Sequence, residues 1–292
     1  MAVCAVLIGT LAWYRELSLT PAALLKRLPA RDALVLYVGF DQLRRGGILQ
    51  LLEGSKVGED PEYQAFVRKT QFDYKQDLDA ALVAFAPNGK YLFLRGRFDW
   101  KSLRSYAFAS DGECYNSLCR MAGSTAERRI SFFPVQSNLM ALAVSSDDSA
   151  ALAMSGWGSG PAPEVPDAPV WLSIPASVIH ARDKLPTGMS MFARAIEDAD
   201  KITIAFQQES NHLAAKLIVH CRNERDAATV ATELASATGL LRDLIAREHQ
   251  RPNPRDWSGV LTAGTFRSQG RQVFGYWPIE RVFVETMLGG AG

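Results

Sequence analysis

Two stretches of this chain repeat one order of parts, and that repetition restricts the fold more than any other feature. In "DLDAALVAFAPNGKYLFLRGRFDWKSLRSYA" (Asp77 to Ala107), the apolar runs Ala80 to Ala86 and Tyr91 to Phe98 flank the turn Pro87 to Lys90, and Asp99 opens a helix. Asn-Gly supplies the positive backbone angles that a tight hairpin needs, and an Asp side chain accepts the first free N–H groups of a helix. In "DADKITIAFQQESNHLAAKLIVHCRNERDAATVATEL" (Asp198 to Leu234), "KITIAF" and "LAAKLIVHC" form the hairpin and a longer helix follows. An apolar strand precedes each stretch, "ALVLYVGF" (Ala33 to Phe40) and "APVWLSIP" (Ala168 to Pro175). A further hairpin follows each helix, "RRISFFPVQSNLMALAVS" and "WSGVLTAGTFRSQGRQVFGYWP". Both halves therefore read β, α, β, β, α, β, β, α. The order predicts an α+β architecture of two similar halves, each with a mostly antiparallel sheet and helices packed on one face.

Between the halves, "SGWGSGPAPEVPDA" holds too much glycine and proline for a helix or a central strand. Residues 155–167 are accordingly the linker, with a first half at 17–154, a second at 168–292 and an apolar segment at 1–16. The N-terminal "LSLTPAALLKRLPARDA" offers Thr20 as N-cap and Pro21 at the first helical position. At 292 residues the chain is long enough for two domains or for one larger body made of two halves.

The apolar opening, Ala2 to Tyr14, has no charge before Arg15. As a helix it would reach roughly 20 Å, short of the roughly 30 Å hydrocarbon core. Arg15, Lys26, Arg27 and Arg31 follow it and by the positive-inside rule hold the body in the cytoplasm. Export is expected only if the start lies upstream and the visible segment is the latter part of a signal anchor, a transmembrane helix. The alternative is a buried N-terminal helix. With 32 basic against 31 acidic residues, a net charge of +1 gives no broad field for nucleic acid.

Few residues suggest chemistry. Cys114 and Cys119 in "CYNSLC" are spaced to close a small disulfide ring, whereas zinc would need two further ligands that no nearby pair supplies. Cys221 reads as a core thiol. His180, His212, His220 and His249 are widely spaced and match no metal motif. Alternation along "LAAKLIVHC" puts His220 with Ala214, Lys216 and Ile218 on a partly solvated face. The acids Asp73, Asp77 and Asp79, and Glu197, Asp198 and Asp200, precede matching strands and read as solvated loop residues. "GWGSG" places Ser159 one position late for a nucleophile elbow, with prolines where a helix is required. These readings assign no catalytic, cofactor-binding or metal residue. The candidate interaction surface is Tyr91, Phe93, Arg95 and Arg97, which alternation sets on one face of "KYLFLRGRF". That face is expected either to dock a protein or to lie under another element with its arginines at the rim.

The segments "LTPAALLKRLPARDALVLYV", "EYQAFVRKTQFDYKQDLDA" and "GRFDWKSLRSYA", with the C-x4-C loop before "RRISFFPV", resemble a group of uncharacterised bacterial proteins predicted to be membrane-anchored or secreted. The resemblance spans Leu17 to Val144. It implies export and no particular activity. The expectation is a membrane-tethered, periplasmic or extracytoplasmic binding or scaffolding protein, not an enzyme, without a cofactor, with the membrane and a protein as partners and no nucleic acid or identified small molecule. The alternatives are a soluble cytoplasmic ligand-binding protein and a hydrolase with a site between the halves.

Overall fold

The computed structural model describes residues 19–49, 61–123, 125, 127–156, 158–161, 163–179, 192–209, 212–248 and 251–289. They fall into two compact units, one holding the described residues of 19–38 and 64–167, the other those of 39–63 and 168–289. Residues 155–167, expected as a linker, fall within the first unit, and the second resumes at Ala168. The short segment after the first strand departs from the expected division, because Gly39 donates its N–H to the Pro169 carbonyl at 2.6 Å and so joins the second unit.

In the first unit, α1 (Pro21–Leu25) begins where Thr20 accepts the Ala23 N–H through its side chain. β1 (Leu34–Val38) is followed by α2 (Phe40–Arg45), which belongs to the second unit, then by α3 (Pro61–Thr70) and α4 (Tyr74–Asp77). Next come the hairpin β2 (Leu78–Ala86) and β3 (Gly89–Gly96) and the helix α5 (Trp100–Ala109), capped by Asp99. A short hairpin of β4 (Glu113–Tyr115) and β5 (Leu118–Ala122) precedes β6 (Arg129–Gln136) and β7 (Leu139–Ser145), and a 3-10 helix closes the unit at Ala150–Met154. The strands lie in the order β1-β2-β3-β7-β6-β5-β4, and each neighbouring pair is antiparallel.

Both faces of this sheet are covered, where helices were expected on one. Leu103 and Ala107 of α5 pack with Cys119, Phe132 and Met140, and Phe66 of α3 joins them. The opposite face carries Leu82, Tyr91, Phe93, Leu139 and Ala141, all buried. Arg27 sits 5.0 Å from the centre of the Phe93 ring and donates to the Met154 carbonyl at 2.8 Å, while the Ala151 N–H donates to Ser131 Oγ at 3.0 Å. The short elements at the two ends of the unit thus seal the face that alternation left open. Full burial of one such aromatic side chain stabilises the fold by about 1.5–3 kcal/mol.

The second unit runs β8 (Val170–Pro175), α6 (Ala176–Ile179), β9 (Lys201–Glu209), β10 (His212–His220), α7 (Glu224–Arg247), α8 (Trp257–Thr262), β11 (Thr265–Gln269), β12 (Gln272–Ile279) and α9 (Arg281–Gly289). Its strand order is β8-β9-β10-β12-β11, again with antiparallel pairs. Asn223 caps α7 by accepting the Asp226 N–H at 2.9 Å, and Ala227, Val230 and Leu234 of that helix pack on Ile202, Leu217, Val219 and Val273. Gly275 makes room for this layer, since a Cβ there would lie 3.0 Å from Leu217 Cβ and 3.1 Å from the Phe266 ring.

The architecture is α+β with extensive antiparallel sheet, as the strand pattern predicts. Among the described residues no helix is long and apolar enough to cross a membrane, which corrects the expectation of a transmembrane helix. The apolar segment 1–16, on which that expectation rested, lies outside the described residues.

Candidate interaction surface on the second sheet

On β10, β12 and β11, the face opposite the α7 core is assembled by register. Lys216 stands opposite Tyr276, which stands opposite Thr265; in the next row Ile218 faces Phe274, and Phe274 faces Arg267. Because directly opposed residues of an antiparallel pair share a face, these six side chains form a two-by-three grid. They line a groove of about 350 Å³.

One end of the grid is a connected polar network. Lys216 Nζ lies 2.7 Å from Glu209 Oε1, Gln207 Nε2 donates to the same oxygen at 2.7 Å, and the Tyr276 hydroxyl donates to Glu209 Oε2 at 3.0 Å. His212 Nε2 lies 3.0 Å from the Tyr276 hydroxyl. The hydrogen bond from Lys216, followed by that from Tyr276, holds the Glu209 carboxyl below the usual carboxylate range. Desolvation first, and the bond donated to Glu209 second, push the Tyr276 phenol up. The carboxylate has donors on both oxygens, so the network fixes its own geometry on a half-exposed surface.

The other end carries an uncompensated charge. The Arg267 guanidinium lies 5.2 Å from the centre of the Phe274 ring and forms no ion pair with a carboxylate among the described residues. Stacking restrains the guanidinium plane while leaving its edge N–H groups free for a carboxylate or phosphate.

The sequence-predicted residues fall elsewhere. Tyr91 and Phe93 are 4% and 1% exposed, so they cannot be the docking anchors that alternation suggested. The covering elements, α1 and the 3-10 helix, come from the ends of the unit and could not be placed from strand alternation. Arg95 is half-buried, and Arg97 lies beyond the end of β3, paired with Asp77 at 3.0 Å. Cys114 and Cys119 form a disulfide, facing one another across the β4–β5 hairpin. Cys221 is buried, and burial raises its thiol pKa, in keeping with a core role. His220 Nδ1 lies 3.3 Å from Gln272 Nε2. Asp73 caps α4 by accepting the Lys75 N–H. His180 and His249 lie outside the described residues. Among the described residues no group of three or more His, Cys, Asp or Glu is placed to hold a metal ion.

No known protein family matches the chain, and no curated protein is similar to it in sequence. Its structure is similar to that of TP0453 in crystal form I, at 12% identity and a TM-score of 0.50, covering 91% of this chain and 97% of that one. Form III of TP0453 gives 12% identity, the same coverages and a TM-score of 0.49; form IV gives 11%, coverages of 89% and 94%, and 0.48. At such identity the likeness to form I bears on the fold alone.

Proposed function

We propose that the protein is a non-catalytic binding module of an extracytoplasmic, oxidising compartment, built from two copies of one α+β plan, that presents the open sheet face of its second unit to a protein partner. The observation that carries this reading is the grid itself, an ordered polar network beside an arginine that lies over Phe274 and has no carboxylate partner among the described residues. Ordered aromatic and arginine side chains are the groups that dominate protein interfaces, because little conformational freedom is lost when they are covered.

The compartment is inferred from the Cys114–Cys119 disulfide, since such bonds persist where thiols are not held reduced. The reading as two copies is supported by the matching orders β1-β2-β3-β7-β6 and β8-β9-β10-β12-β11, each with a helix after its third strand.

Site-specific photo-crosslinking in the native cells tests the binding role. A crosslinker at Ile218 is expected to give a discrete protein adduct that is lost when Lys216→Ala and Tyr276→Ala are added, and a crosslinker at Asp148 is expected to give none. Equal labelling from both positions, or no adduct from Ile218, would contradict the assignment.

A further inference from the structure

Resting on the binding-module reading, we infer that the outer edge of β11 accepts an extended segment of another protein, which adds an antiparallel strand and sets an acidic side chain against Arg267. β11 ends its sheet, is paired to β12 alone among the described residues, and leaves four of its five residues exposed. Its register from Thr265 to Gln269 is unbroken by a bulge. An edge of this kind offers free N–H and C=O groups to a further strand, and its shortness and exposed Arg267 restrict that pairing to a segment able to meet the charge.

The first unit shows what fills the corresponding place. The strand that occupies β11's position in the order of the first sheet is β6, and β6 is not an edge: β5 lies against it, antiparallel, with Cys119 opposite Phe132 and Ala122 opposite Arg129. The hairpin that brings β5 there is closed by the Cys114–Cys119 disulfide. Between β10 and β12 of the second unit there is one helix-rich connection followed by β11, and no counterpart of the β4–β5 hairpin stands among the described residues. A protein strand is therefore the complement that this plan already uses at that edge.

Arg267 decides which strand fits. Antiparallel self-pairing centred on Arg267 would set two guanidinium groups against each other, which disfavours a second copy of the chain. A partner residue placed directly opposite with a carboxylate would meet a guanidinium held over Phe274 and not paired with a carboxylate among the described residues. The bound segment is accordingly extended, free of proline at the paired positions and acidic at one residue.

Amide hydrogen exchange on the full chain tests this, with two capped peptides as probes. One alternates Thr and Val around a central Glu; its twin has Lys in place of Glu. The Glu peptide is expected to slow exchange across 264–270 at a concentration at least about tenfold lower than the Lys peptide requires, a difference of about 1.4 kcal/mol. Arg267→Glu is expected to reverse that preference, and Ser268→Pro to abolish protection by either peptide. The inference is overturned if neither peptide protects 264–270, if both protect it equally in the wild type and in Arg267→Glu, or if the free chain already protects β11 as fully as β6. Should crosslinking from Ile218 still give its mutation-sensitive adduct in those cases, the binding-module reading stands and the strand-addition inference alone falls.

Discussion

Glu209 gathers Lys216, Gln207 and Tyr276 around one carboxylate, and its lowered pKa ties that arrangement to stability. A carboxyl with a depressed folded-state pKa contributes stability that is present above the ordinary Glu value of about 4.3 and is lost as pH falls through the folded value. The stability difference between wild type and Glu209→Gln should therefore be full at neutral pH and shrink to nothing in acid, as read from urea midpoints at a series of pH values. A difference that stays constant into acid would contradict the role given to the charge. Tyr276→Phe should cost about 0.5–1.5 kcal/mol by removing one hydrogen bond. In the first unit, Phe93→Ala should cost about 3–5 kcal/mol by opening a cavity in a sealed face, and an effect below about 1 kcal/mol would show that the ring is not packed as described. One member of the polar network was readable: alternation put Lys216 on one face of β10, beside Ile218. Glu209 and Tyr276 were not, because they meet across 67 residues of sequence and only the strand register brings them together.

Local signals placed most of the elements. Thr20 before Pro21, Asp99 before Trp100, and the Asn88–Gly89 turn each act through the nearest few residues, and each appears where the sequence put it. The β4–β5 hairpin stands where a loop is expected, because its first strand has three residues and its turn uses Asn116 and Ser117 at φ 45° and 72°, less familiar than Asn-Gly. Helix α8 was read as part of a hairpin, since six residues carry too little periodicity to announce a helix. The disulfide across that small hairpin closes a short ring, and replacing both cysteines with serine should lower stability by about 2 kcal/mol, a value a chain-entropy account gives for so short a loop. The loss is measurable by urea denaturation under non-reducing conditions. An unchanged midpoint would mean the hairpin is held by packing alone, with Cys119 1% exposed in the α5 core.

Across the molecule, the order of elements was enough to predict the α+β class, but not which segments complete each unit. Residues of α1 and the 3-10 helix close the first sheet from opposite ends of its stretch of chain, and Gly39 joins the second unit through Pro169 although it follows directly on β1. Such long-range closure leaves no local mark in the residues that make it. It also explains why the face of β3 that alternation singles out is buried. The two strands at the same place in the two sheet orders, β6 and β11, differ in having a neighbour on the outer side, and the functional account rests on that difference. Residue-resolved amide hydrogen exchange of the free chain measures it directly. The account predicts strong protection of β6 on both sides over Arg129–Phe132, where β5 pairs with it, and, in β11, protection of only those amides that face β12. Uniform protection of β11 at the level of β6 would contradict it.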